Sequence, residues 1–207
     1  MTKALLRCGA LAGPLFVSTF TIAGRRREGY DPRRHPVSAL ALGPGGAVQR
    51  ANFVVAGALY LAAAAGLHRK RGRTKTATLT PALIAGAGAG LIGAALFATD
   101  PVSGYPVGTP PQPEPPTRTG TVHNLCATPV FVGISAAALL SARTAARAHE
   151  RSWAIYSAAS GALMTAASIG AGAGFGQQPA LVGSAGLLQR VSILAGFGWI
   201  TTLCLTT

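Results

Sequence analysis

The stretch "ATLTPALIAGAGAGLIGAALFAT", residues 77–99, decides the fold of this chain. It carries no charge, and it is long enough for the ~20-residue helix that crosses a bilayer core. Its apolar residues do not alternate with polar ones, as the strands of a membrane barrel would, and in lipid the remaining way to satisfy every backbone group is a helix. Its bulk is Ala, Gly and Leu, a composition suited to helices that pack with their backbones close together.

Five further stretches of this kind flank it, at about 4–23, 51–67, 121–142, 153–175 and 180–205. Of the 207 residues 49% are hydrophobic and 11% are charged, where a soluble domain carries roughly 25% charged residues. The expectation is all-α: a polytopic membrane helix bundle of about six transmembrane helices, forming a single domain over residues 1–207 and residing in the cell membrane. Pro14, Pro81 and Pro129 fall inside spans, where each frees a carbonyl that a neighbour has to cover. The first span, with Lys3 and Arg7 before it, also resembles a signal peptide. An uncleaved span is favoured because Pro14 interrupts the apolar run.

Lys3, Arg7, Arg69, Lys70, Arg71, Arg73, Lys75, Arg143, Arg147 and Arg151 fall on the face that holds the N-terminus. Arg25, Arg26, Arg27, Arg33, Arg34, Arg50 and Arg118 fall on the other. The excess places both termini in the cytoplasm, against the pull of the Arg25–Arg27 cluster. The net charge of +13 is therefore mostly membrane-flank charge, with Arg190 lying within the last span. It lies in short segments with little aromatic interleaving, which argues against a nucleic-acid partner. Gly86 with Gly90, and Gly170 with Gly174, have the four-residue spacing of close helix contacts. Cys8, Cys126 and Cys204 read as small packing residues, and Trp153 and Trp199 as membrane-interface anchors.

Alternation of the spans puts the loops after spans one, three and five on one face, and the unusual polar residues collect there. They are Tyr30, Asp31, His35 and Ser38; Gln49, Arg50 and Asn52; Asp100, Ser103 and Tyr105; His123 and Asn124; and Gln189 with Arg190. Between Asp100 and His123 runs the proline-rich spacer "PPQPEPPTRT". Three segments carrying these residues, "GYDPRRHPVSALALGPGGAVQRANF", "FATDPVSGYPVGTP" with "GTVHN", and "GLLQRVSILAGFGWI", resemble the bacterial membrane family known as domain of unknown function 998. The resemblance implies a six-span integral membrane protein and brings no activity with it.

Arg190 is the most expensive residue of the chain, since an arginine deep in a span costs ~2.5–3.5 kcal/mol on insertion scales unless it finds a partner. The acids on its face are Glu28, Asp31, Asp100 and Glu114, and Asp100, fixed at a helix end, is the expected partner. The preferred reading makes the cluster an acid/base site of the isomerase or cyclase type, working on a lipophilic small molecule or lipid. Asp100, His123 and Arg190 are its catalytic candidates, and His35, Ser38, Asn52, Tyr105, Asn124 and Gln189 line the pocket. The other reading makes the cluster an internal lock in a non-catalytic protein that binds a lipid or partner. No cofactor is expected. His35, Asp100 and His123 lack the local spacing of a metal motif, so no metal is expected either. The oligomeric state stays open.

Overall fold

A computed structural model describes residues 1–71, 75–112 and 115–207; Arg73 and Glu114 lie outside the described residues. The helices are α1 (Thr2–Arg25), α2 (Gly46–Arg71), α3 (Lys75–Leu96), α4 (Arg118–Thr128), α5 (Ile134–Arg147), α6 (Arg151–Phe175) and α7 (Ala185–Thr206). A π-helical turn, Pro129–Gly133, joins α4 to α5, so these two make one span. Six helices are thus long and apolar enough to cross a membrane, and the chain is an all-helical, multi-pass membrane protein. Among the described residues no strand forms, only an isolated bridge between Val102 and Tyr105.

Two spans stop short of the sequence expectation, whereas the second and fourth run past theirs at both ends. The third helix stops at Leu96, before Thr99, because Asp100 precedes Pro101 and a residue before proline is pushed out of the helical region. The last helix starts at Ala185 and not near 180, because Gln178 precedes Pro179 and the chain turns repeatedly through residues 176–184.

The spans form a ring in chain order, each packed on the one before it, with α7 closing against α1. Aromatic side chains fill the centre. The Phe16 ring lies 5.7 Å from that of Phe53 and 5.2 Å from that of Phe197, and Tyr60 meets Phe197 edge to face, a geometry that favours the ring quadrupoles. Glycines let the backbones approach. A Cβ on Gly57 would lie 2.6 Å from the Gly88 carbonyl oxygen, and one on Gly88 2.7 Å from that of Gly57. The expected Gly86–Gly90 face is corrected in part. Gly90 packs against the Cys126 carbonyl, but a Cβ on Gly86 would meet open space. Gly170 and Gly174 both pack on the chain that leads into and along α7.

The carbonyl that Pro14 frees, that of Ala10, accepts the Thr201 hydroxyl at 3.3 Å, the kind of cover a proline in a span requires. Trp199 is no interface anchor. It is fully buried, donates its indole N–H to Ser157 Oγ at 3.0 Å and stacks on Trp153.

Span four is split in its packing. Its second part, α5, lies against both α3 and α6, whereas its first part, α4, lies mainly against α3. The change falls at the wide π turn opened by Pro129, where one extra residue alters the direction of the helix.

Candidate functional site

Hydrogen bonds draw the three loops of one face together. The backbone N–H of Val37, in the "HPVS" run, donates to Gln189 Oε1 at 2.8 Å, and Leu187 N–H donates to the Arg33 carbonyl at 2.9 Å. The loop between α3 and α4 crosses to the end of α6, where Gln112 Nε2 donates to the Phe175 carbonyl and Gln177 Nε2 donates to Ser103 Oγ at 3.2 Å. Ser103 sits in the left-handed region at φ 57°, a strained conformation for a residue with a Cβ. It is held there by its N–H on the Pro111 carbonyl at 2.7 Å.

Beneath these loops, inside the ring, is a cavity of about 520 Å³. Its walls are largely apolar and include Phe16, Phe53, Leu91, Val130, Ile193 and Phe197. Ser38, Asp100, His123, Asn124 and Gln189 line it as well. Of the sequence candidates, these five share one space. Arg190, His35, Tyr105 and Asn52 do not line it.

Asp100 and His123 each finish the helix that the other belongs beside. Asp100 leaves α3 and accepts hydrogen bonds at α4, from Thr117 N–H at 3.0 Å and from the Thr117 hydroxyl. Thr117 is the N-cap of α4, its Oγ1 accepting from Gly120 N–H at 3.0 Å. The carboxylate thereby sits at the positive end of the α4 dipole. Gly120 makes the approach possible, because a Cβ there would collide with the Asp100 carboxylate. In return His123, on α4, directs Nδ1 to the carbonyl of Ala94, in the last turn of α3, and to that of Phe97 just beyond it, each at 3.0 Å. Carbonyls only accept, so Nδ1 carries the hydrogen, and the lone pair of the neutral imidazole lies on Nε2. Among the described residues Nε2 has no hydrogen-bond partner, and His123 is a wall of the cavity.

The expected Arg190–Asp100 ion pair does not form. Arg190 donates instead to the Tyr30 hydroxyl, to the His35 carbonyl at 3.2 Å and to the Gly186 carbonyl at 2.8 Å. Its guanidinium carbon lies 5.6 Å from the ring centres of Phe20 and Tyr30. Neutral dipoles and two aromatic faces compensate the charge without a carboxylate. Tyr30 passes the link on, donating to the Pro36 carbonyl at 3.0 Å. Burial pushes its phenol above the usual value and the neighbouring Arg190 pulls it down. Tyr105 closes the cluster, its ring 5.1 Å from Tyr30 and 5.2 Å from His35.

His35 is wired the opposite way from His123. Its Nδ1 accepts the Asp31 N–H at 2.9 Å. Burial pushes this imidazole below its usual value, while a backbone hydrogen bond with Ser103 and the charge of Asp31 oppose the shift. Asn52 is likewise internal, donating to the Phe16 carbonyl at 3.1 Å and to Gln49 Oε1 at 3.3 Å. Among the described residues the buried Gln49 amide nitrogen has no partner.

Sequence reading missed Thr117 and Gly120, whose roles depend on where Asp100 lands. A threonine three residues before a glycine, at the start of an apolar run, was the available capping signal. Among the described residues no three His, Cys, Asp or Glu side chains gather as metal ligands would.

No curated protein and no solved structure matches the chain. Residues 10–206 match the family described as protein of unknown function (DUF998). That match runs from within α1 to the end of α7 and takes in all three loops of the polar face, and on that extent the chain belongs to the DUF998 family.

Proposed function

We propose that this protein binds a lipophilic small molecule inside its helix ring, in the cell membrane. The supporting observation is the cavity, whose ~520 Å³ falls within the ~300–1,000 Å³ typical of small-molecule sites. Its apolar walls match a lipophilic body, and its polar groups, gathered under the loops, match a single polar end. The test is lipid retention: purification in mild detergent, organic extraction and mass spectrometry, on the natural protein and on Ala127→Phe, which fills the cavity from the α4 wall. Retention of one lipid class by the natural protein and its loss in Ala127→Phe is the expected result. Equal retention by both overturns the proposal.

A second reading, an acid/base enzyme of the isomerase or cyclase type, rests on one observation, the unpartnered Nε2 of His123 beside the cavity. Asp100 then positions α4, Arg190 holds the first loop, and His123 alone takes up and returns the proton. His123→Asn separates the readings, because the short amide reaches the α3 carbonyls in place of Nδ1 but offers nothing in place of Nε2. A binding protein keeps its fold in this variant and still takes up its ligand, losing only the share of affinity that one hydrogen bond to Nε2 carries. An enzyme keeps its fold and loses turnover.

A further inference from the structure

The top and the side of the cavity wall are built differently. Over the top the loops are fastened across the ring by the Gln112–Phe175, Gln177–Ser103 and Val37–Gln189 hydrogen bonds. The side is different. Between α4 and α6 the ring is only thinly packed, and wall residues of α4, of the π turn that follows it and of α6 are exposed: Asn124 and Thr128 on α4, Val132 at 63% in the turn, and Ile169 at 68% with Gly172 on α6. A Cβ on Gly172 would meet nothing within 4 Å. A gap between two spans of a membrane protein opens toward lipid.

The head follows from charge. The chain carries 18 Lys and Arg, yet among the described residues none lines the cavity, and Asp100 is the one Asp, Glu, Lys or Arg in its wall. Its carboxylate is already compensated by Thr117 and the α4 N-terminus. A phosphate or carboxylate head would bring a second negative charge into an apolar site with no cation to meet it. The group that waits is the His123 Nε2 lone pair, an acceptor, and it calls for a donor. An uncharged O–H supplies one without placing a new charge in the cavity.

We propose that an uncharged lipid bearing a hydroxyl passes sideways from the bilayer between α4 and α6 and donates its O–H to Nε2 of His123. This rests on the reading of the cavity as a lipid site.

The test uses photoreactive diazirine probes of one chain length, a fatty alcohol, the matching fatty acid, the matching primary amine and a phosphatidylcholine, added to the full-length protein in nanodiscs. Labelled residues are located by mass spectrometry. The expected result is alcohol labelling of cavity walls, competed by unlabelled hexadecanol, with each charged probe at least about tenfold weaker, equivalent to ~1.4 kcal/mol. Gly172→Trp, and independently Val132→Trp, should cut alcohol labelling severalfold with unchanged thermal melts, whereas Gln112→Ala, which loosens the lid, should not. Equal or stronger labelling by the acid, the amine or the phosphatidylcholine overturns the assignment of the head. Labelling indifferent to both tryptophan variants but raised by Gln112→Ala overturns the lateral route. Failure of every probe to label the cavity above the level of Ala127→Phe overturns the lipid-site reading itself, and is thus distinct from the other two outcomes.

Discussion

Arg190 holds the first loop on α7 through neutral acceptors, and its removal has a calculable cost. Of its three hydrogen bonds, the one to Gly186 lies within its own helix, so only those to the Tyr30 hydroxyl and the His35 carbonyl tie the loop down. Bonds from a charged donor are worth ~1.5–3 kcal/mol each in soluble proteins, but side-chain bonds in membrane bundles average ~0.6 and reach ~1.7 kcal/mol. Two such bonds, with the ring contacts to Phe20 and Tyr30, give an expected loss of about 1–3 kcal/mol for Arg190→Met. The assay is equilibrium unfolding in mixed micelles, run as a double-mutant cycle with Tyr30→Phe. A coupling of ~1 kcal/mol or more is expected for that pair, and additivity within ~0.5 kcal/mol for Arg190→Met with Asp100→Asn, since those groups share no contact. An Arg190→Met protein as stable as the natural one, or a larger coupling to Asp100 than to Tyr30, refutes the assignment.

Three other outcomes follow from the geometry. Gly120→Ala should destabilise the protein by about 1–3 kcal/mol through the clash with the Asp100 carboxylate, and the loss should shrink in an Asp100→Ala background; thermal melts in detergent measure both. His35 prefers its neutral form in the folded state, so its contribution to stability is complete above its ordinary value of ~6.5 and declines as pH falls below it. Melts from pH 8 to pH 5 should show this decline, and His35→Gln should flatten it while the surrounding Asp31, Arg34, Arg190, Tyr30 and Tyr105 remain. Gly88→Leu should part α2 from α3 at the Gly57 carbonyl, and a protein that still melts within a degree or two of the natural one would contradict the close approach described.

How much of this was legible in the sequence depends on the range of the forces involved. The six spans and the shared face of loops one, three and five follow from hydropathy and alternation, which are local properties, and the structure has both. The partner of Arg190 was read wrongly because only carboxylates were counted, while the groups that meet it are a phenol and carbonyls, and every residue owns a carbonyl. The burial of Trp199 was missed because its nearness to a span end says nothing about which side of the helix faces the ring. Gly86 and Gly88 are indistinguishable by spacing, and only the angle at which α2 crosses α3 selects Gly88. Within the site, Asp100 and His123 were legible as residues at helix ends. That each caps the helix of the other is a long-range fact that no local pattern carries.

The two buried histidines of this face divide the consequences of a proton between them. On His123 the hydrogen held by the α3 carbonyls is present in both charge states, so Nε2 can gain a proton and lose it while the joint between spans three and four stays as it is. On His35 the nitrogen that faces Asp31 is an acceptor, and a proton there replaces a hydrogen bond with a repulsion between two N–H groups. A proton on Nε2 of His123 breaks none of the scaffold's hydrogen bonds, whereas a proton on Nδ1 of His35 breaks the one from the Asp31 N–H.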